Sequence, residues 1–487
     1  MNKVKVFISE QLKSFNDAEF IRLLKIFTGA VLVIILYAAV YSGFQIVDEF
    51  EHLHASWLVS TGKVPYRDFF EHHHPLLWYM SAPIVALFYD HAIIFYVMRA
   101  ISVLASLLTL LYIYKITLFF GNKNCAWFAI VCFFSNIVTL LCFYQYRPDT
   151  FMNLFFIIGL YYWFVSLKED SLKHLTYSFL SFAVSVLFLQ KISLLLLVVE
   201  AILLGLICFK KMKLKTITLA AIPPLVLFLC FFFILYMNHS LFAYIELNYH
   251  FNQALVHYFD RGSFWYPSIW FTVYPIALFT VIFFYKKENI YFKIVALLFI
   301  AEFLMRGFYF APHPNYYTLL AMFSAMILSV YGKKLMPKHK FLAILVILLL
   351  FLNMGRLFKR LSSSIDNFNS YKHYQLVDYV HKNSTADDLL MNGYDKIFNI
   401  YRYDVSYYWF GLDMLLPVME LEYELEQKPD INVMVFQYHP KFIYVKNYVD
   451  LRAMRSYGEI RYTQQFMPEL LQALYKPTPF ENLAVLK

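Results

Sequence analysis

Uncharged apolar runs of about 20 residues recur along the first three quarters of the chain, and no other feature constrains its fold as strongly. Backbone crossing a hydrocarbon layer must satisfy its own hydrogen bonds, so each run is read as a helix. Eleven spans are expected, at roughly 26–46, 95–115, 125–145, 150–167, 174–190, 192–209, 217–237, 269–285, 291–305, 316–332 and 341–357. The stretch from Pro75 to Phe88 is apolar but short, and fits an interfacial helix, a re-entrant segment or half of a further span. A chain that is 60% hydrophobic, 20% aromatic and 15% charged has no counterpart among soluble globular domains of 487 residues. The fold class expected is an α-helical polytopic membrane protein with about 11 transmembrane helices.

Lysine placement orients the spans. Lys3, Lys5, Lys13, Arg22 and Lys25 precede the first, and basic residues return in every second loop, at Lys115/Lys123, Lys168/Lys173, Lys210–Lys215, Lys286–Lys293 and Lys333–Lys340. Those loops are expected to be cytoplasmic. The loops 48–75, 146–150, 238–267 and 306–315 then face outward, and an odd number of spans puts the C-terminal tail outside as well. The net charge of +9 resides mostly in the cytoplasmic loops and implies no nucleic acid. The first span follows a charged segment, 1–25, and lacks a small-residue cleavage site, so it reads as an uncleaved anchor. All five cysteines fall within predicted spans, and no disulfide framework or CxxC motif is present.

From about residue 370 the composition changes. Tyr371–Asn383 reads as an amphipathic helix, Asp388–Asn392 as a short strand, Pro417–Gln427 as a helix, Lys441–Lys446 as a strand and Asp450–Tyr457 as a helix. The alternation predicts a small extracytoplasmic α/β domain over 370–487, following a membrane domain over 26–357. No acids or bases gather within it, and a recognition or lid role is expected.

The chemistry is concentrated in the first outer loop, 48–75. Asp48, Glu49, Glu51, His52 and His54 lie close together, with Asp48 and His52 four residues apart and so on one face of any helix that forms. Asp48, at the end of a span where a carboxylate is costly, is the candidate general base. Glu51 and His54 read more simply as solvating a loop. In Glu71-His72-His73-His74-Pro75, consecutive side chains diverge, so at most two histidines meet one ion, and a His72/His74 metal site is the weaker alternative to none. No cofactor is required on this reading; a divalent metal is possible without being supported. Glu71 is expected to shape the loop and contact substrate.

Arg147-Pro148-Asp149 displays two charges at a short outward turn, because the proline stops helix continuation; they pair with each other or serve function. Lys191, between two spans, snorkels to the interface or holds the phosphate of a lipid carrier. Glu200 stands near mid-bilayer, and Glu302 with Arg306 makes an (i, i+4) pair whose arginine can also face phosphate.

Asp48-Glu49, then Gly62-Lys63-Val64-Pro65-Tyr66-Arg67-Asp68-Phe69-Phe70-Glu71 and His74-Pro75-Leu76-Leu77, with Arg147-Pro148-Asp149, Gln190-Lys191 and Phe310-Ala311-Pro312-His313-Pro314-Asn315-Tyr316-Tyr317, resemble the GT-C glycosyltransferases. The branch most similar contains protein O-mannosyltransferases and lipid A aminoarabinose transferases. The resemblance implies an integral enzyme of a bacterial inner (plasma) membrane that moves a hexosyl or pentosyl group from a polyprenyl-phosphate carrier to a lipid, glycan or protein acceptor on the outer face. It implies Asp48 and Asp149 as the essential acids, with Lys191 and Glu71 matching the family's lysine and first-loop acid; Glu49, Arg67, His74, Arg147, Arg306, His313 and Tyr316 are the further substrate-binding candidates beside Glu71 and Lys191. The aminoarabinose branch carries a lysine and paired prolines after the loop acid, where this chain has His72-His73-His74-Pro75.

The chemistry follows from the residues themselves. An acceptor hydroxyl is a poor nucleophile near neutral pH, so Asp48 takes its proton while Lys191 and Arg306 neutralise the departing phosphate, and a single displacement inverts the anomeric centre. The rival class is a transporter or flippase of a lipid-linked glycan, whose mark is charge at mid-membrane; Glu200 fits it alone.

Overall fold

The computed structural model describes residues 17–43, 46–136, 142–258, 274–305, 317–334, 369–392, 397–409, 430–444, 468–480 and 483–487, with isolated positions between 352 and 365. Among the described residues, five helices are long and apolar enough to cross a membrane: Ile21–Tyr41, Ile94–Thr117, Pro148–Glu169, Gln190–Cys208 and Leu214–Met237. Shorter apolar helices run over Leu76–Leu87, Lys123–Phe134, Leu172–Phe188, Tyr274–Phe284 and Thr318–Leu328, and a further helix over Ile290–Met305. Apart from Leu76–Leu87, each overlaps one of ten expected spans, though only the five long helices reach membrane-crossing length and Lys123–Phe134 covers only about the first half of 125–145; the eleventh, 341–357, lies almost wholly outside the described residues. Pro75–Phe88 resolves into the helix Leu76–Leu87, with Pro83 inside it.

The first span ends earlier than its hydropathy suggests. Its helix stops at Tyr41, where the Ser42 N–H closes the last turn on the Ala38 carbonyl at 2.8 Å, and Gly43 follows. Glycine is a poor helix former, and the chain restarts as a separate helix, Ile46–Ser60, with Asp48 and Glu49 in its first turn. Carboxylates there complement the positive end of the helix dipole. Asp48 therefore opens a helix instead of closing a span.

The chain divides into two compact units. One comprises Met1–Ser42, Ala100–Leu227 and Ser263–Asn367; the other comprises Gly43–Arg99, Phe228–Gly262 and Phe368–Lys487. In the first unit, helices Pro148–Glu169 and Leu172–Phe188 pack closely because Gly159 leaves room for a ring: a Cβ there would lie 2.6 Å from Phe182. Only 6% of the most apolar window of Leu214–Met237 is buried, as befits a helix solvated by lipid.

The second unit holds a four-stranded sheet of β1 (Leu390–Met391), β2 (Phe442–Tyr444), β3 (Tyr475–Pro477) and β4 (Leu483–Leu486), in the order β1-β2-β4-β3. β1 runs parallel to β2, and β4 runs antiparallel to both β2 and β3. Strand alternation sends Phe442 and Tyr444 into a cluster with Leu376, Val380 and Phe398, and Ile443 into another with Ile431, Val435 and Leu471. Helix Ser370–Lys382 and the strands β1 and β2 lie where the sequence predicts them. Helices Ile431–Tyr438 and Pro468–Leu474 and strands β3 and β4 were not anticipated. The expected helices Pro417–Gln427 and Asp450–Tyr457 fall outside the described residues.

The tail's residues 400–409 brace the first loop. The Phe70 N–H donates to the Tyr407 carbonyl at 3.0 Å, the Trp409 indole N–H to the Phe70 carbonyl at 3.1 Å, and the Tyr407 hydroxyl to the Tyr66 carbonyl at 2.5 Å. Arg402, 1% exposed in its side chain, grips Asp90 from the same segment at 2.6 Å.

Candidate active site

In the second unit, helix Ile46–Ser60 presents its acids and histidines inward. Asp48 is half-buried, while Glu49, Glu51, His52 and His54 are buried. Glu49 is held by Arg99, whose Nε donates to Oε1 at 2.9 Å and whose Nη2 donates to Oε2 at 2.5 Å. A buried arginine at the start of a span was the available signal for this partner. Glu51 and His54 do not solvate a loop. The segment is a helix packed into the unit's core, and His54 gives its Nδ1 proton to the Ile400 carbonyl at 3.0 Å against the Trp409 ring. Burial lowers the His54 pKa to about 3, so this ring is neutral.

The loop that follows turns sharply, with Gly62 at φ 88° and Tyr66 at φ 70°. Its three histidines face three ways. The His72 ring meets the Asn252 carboxamide at 2.8 Å, His73 Nδ1 lies between the carboxylates of Glu51 and Glu71 at 3.4 and 3.3 Å, and His74 Nε2 meets the Tyr244 hydroxyl at 2.9 Å. The two rings named for a metal, His72 and His74, thus have separate partners, whereas Glu51, His52, Glu71 and His73 converge. Nothing in their spacing announced this, because the convergence needs the loop to fold back onto the helix. Burial, then the Glu51 charge, pushes Glu71 up to about 8. For His73 burial acts downward, but its hydrogen bonds and charges with Glu51 and Glu71 prevail and raise it to about 10. Arg67 is exposed, pairs with Asp68 at 2.8 Å and donates to the Asn238 carbonyl at 3.0 Å.

In the first unit, Arg147 sits extended just before helix Pro148–Glu169, whose opening proline supplies a preset φ and lacks the N–H that a first turn leaves unused. Asp149 is thereby placed in the first turn, 4% exposed. Its carboxylate accepts from Arg147 Nε at 3.4 Å and from Lys191 Nζ, which arrives on the short 3-10 turn Gln190–Ile192. Lys191 is mostly buried and pairs with Asp149 instead of extending toward solvent. Two cations thus face one carboxylate beside a cavity of about 30 Å³ lined by Ser106, Thr109, Asn153 and Thr318. Glu200 lies on an exposed part of its helix, and Glu302 is buried. Arg306, His313 and Tyr316 lie outside the described residues.

No protein-family model and no curated protein sequence matches the chain. Solved structures do. The crystal structure of ArnT from Cupriavidus metallidurans bound to undecaprenyl phosphate superposes with a TM-score of 0.58 over 86% of this chain and 92% of that one, at 11% identity. The chain has the ArnT fold. The apo form of the same ArnT aligns over 64% of this chain and 61% of its own, at 12% identity and a TM-score of 0.43. The fold expected from the resemblance, an apolar helical membrane part with a small strand-containing C-terminal region, is thus the ArnT-like one observed. Within this fold, the residues singled out by sequence form one acid-rich group around Glu51 and Glu71 and one cation-rich group around Asp149.

Proposed function

We propose that the chain is a polyprenyl-phosphate-dependent glycosyltransferase, transferring a hexosyl or pentosyl group with inversion to an acceptor at the outer face of a bacterial inner membrane. The observation that carries this is the buried Arg147–Asp149–Lys191 group within an ArnT-like fold, the ArnT counterpart having been crystallised with undecaprenyl phosphate. Two cations thus stand together at one carboxylate. A departing lipid phosphate is an anion, and a charge-assisted contact to it lowers the barrier to its release.

Asp149 holds the Lys191 ammonium and the Arg147 guanidinium in place for the phosphate oxygens. Asp48, half-buried in the first turn of its helix, is the base that takes the acceptor proton as the hydroxyl attacks the anomeric carbon. Glu49 is occupied by Arg99 and fixes that helix, while Arg67, Glu71 and His74 shape the loop facing the acceptor. Arg306, His313 and Tyr316 complete the donor contacts, and the tail over 370–487 faces outward with the loop it braces.

Purified protein in lipid nanodiscs, given a panel of radiolabelled polyprenyl-phosphate sugars, is expected to release free polyprenyl phosphate from one of them. Asp48→Asn, which keeps size but not basicity, is expected to stop that release. Release at the wild-type rate from Asp48→Asn rejects Asp48 as the base, and no release from any donor by the wild type rejects the transferase.

A further inference from the structure

The carboxylates of Glu51 and Glu71 and the imidazoles of His52 and His73 bring one atom each within 4.8 Å of one another. From this geometry we propose that Glu51, Glu71 and His73 bind a divalent transition-metal ion of the zinc class, clamping the first loop to the helix Ile46–Ser60.

The distances fit coordination. His73 Nδ1 lies 3.3 Å from Glu71 Oε2 and 3.4 Å from Glu51 Oε1. Two ligand atoms, each about 2.0–2.1 Å from a tetrahedral ion, are separated by about 3.3–3.4 Å, so these are edge lengths of a zinc polyhedron. The charge is compatible with a cation as well. Glu71 is 0% exposed and Glu51 6%, and among the described residues the ion-pair partner recorded for either is His73. Arg99, the guanidinium of the neighbouring pair, is committed to Glu49. Two buried carboxylates sharing one imidazole are costly unless a proton or a metal ion neutralises them.

The carboxylates supply the observation that favours the metal. Glu71 Oε2 accepts the His72 backbone N–H at 3.1 Å, which fixes the carboxylate plane, while its other oxygen, Oε1, and Glu51 Oε1, the atom 3.4 Å from His73 Nδ1, are buried with no hydrogen-bond partner among the described residues. Buried carboxylate oxygens oriented but left without a donor suit ligand bonds, and Glu71 can reach an ion through either oxygen. The Tyr66 hydroxyl donates to the His73 carbonyl at 2.6 Å and holds that residue's backbone.

His52 has a different part. The Trp78 indole N–H can only donate, and it lies 3.2 Å from His52 Nδ1, so a neutral His52 carries its proton on Nε2. His52 is therefore not counted among the ligands, and the fourth coordination position is left to water. Two oxygens and one nitrogen from protein favour zinc over magnesium or calcium, which take all-oxygen shells.

The test uses full-length protein, freed of any affinity tag, in nanodiscs, with Zn2+ alone as the probe. After chelation and dialysis, calorimetry is expected to show one saturable Zn2+ site, with Mg2+ bound at least about 100-fold more weakly. Glu71→Gln and His73→Ala are each expected to weaken Zn2+ by about 100-fold or more, His52→Ala by about 10-fold, and His72→Ala, whose ring faces Asn252, by less than about threefold. Co2+ substituted into the wild type should give intense tetrahedral visible bands, a readout independent of how the variants fold. No saturable Zn2+ binding by the wild type, no such Co2+ spectrum, or undiminished binding by a folded Glu71→Gln would overturn the site and leave His73 as a proton-bearing bridge between two acids. No sugar donor enters these measurements, so they stand or fall apart from the transferase reading.

Discussion

The two ionic groups of this chain use the same side chains to opposite ends. Around Asp149 one carboxylate faces an arginine and a lysine; around His73 two carboxylates face one imidazole. Each is largely withdrawn from water, so each must be balanced by something of the missing sign. The first is the group proposed to meet the lipid phosphate and the second the group proposed to hold a metal ion. Glu49 is the instructive intermediate, since it stands two residues before Glu51 on the same helix and has an arginine of its own.

Arg99→Leu breaks that distinction most severely. Removing one partner strands the Glu49 carboxylate in a buried site, and chemical unfolding in detergent is expected to show a loss of about 3–5 kcal/mol. A loss below about 1 kcal/mol would mean that Glu49 reaches water, and the contrast with Glu51 would vanish.

Next is Lys191→Ala, expected to lower turnover with the lipid-linked donor by about 100-fold, or about 2.7 kcal/mol, with acceptor dependence largely intact. Lys191→Arg should recover part of the activity because charge survives with altered geometry. Unchanged donor kinetics in Lys191→Ala would reduce this lysine to a structural partner of Asp149.

The pH response separates the buried histidines. The folded-state pKa of His54 is about 3, below its ordinary value near 6.5, so the unfolded chain binds more protons between those values. Its contribution is present above pH 6.5 and is lost on acidification through that window, by up to about 1.4 kcal/mol per pH unit. His54→Gln should flatten the dependence of midpoint denaturant concentration on pH between about 6 and 4. An unchanged slope would show that other groups set the acid sensitivity.

The smallest effect is expected at Arg67. Its pair with Asp68 is solvent-exposed, and Arg67→Ala should leave the midpoint of the chemical unfolding curve nearly unmoved. A clear shift to lower denaturant would show that its bond to the Asn238 carbonyl carries the loop.

What was legible beforehand follows a pattern. Helices such as Ile94–Thr117 and Pro148–Glu169 lay within a few residues of their expected bounds, because about 20 apolar residues admit one backbone solution in lipid. Helix Ser370–Lys382 and strands β1 and β2 showed in their periodicity, while β3 contains a lysine and a proline and carried no strand signal. Asp149 and Lys191 were picked out one by one as costly charges at span ends. Their pairing was not, since 42 positions separate them and only packing of the helices closes that distance. Glu51 and His54 read as loop solvation because charge in sequence looks the same wet or dry.

By itself, then, the sequence determined that this chain lives in a membrane as apolar helices and that it resembles the GT-C enzymes, and it singled out the first loop and Arg147–Asp149 as candidate sites. Tertiary structure decided which charges are neutralised and by what. Hydropathy is a sum over neighbours in the chain and survives reading in one dimension. Charge balance is a sum over neighbours in space, and His73 acquires its two carboxylates only when a loop folds back on the helix before it.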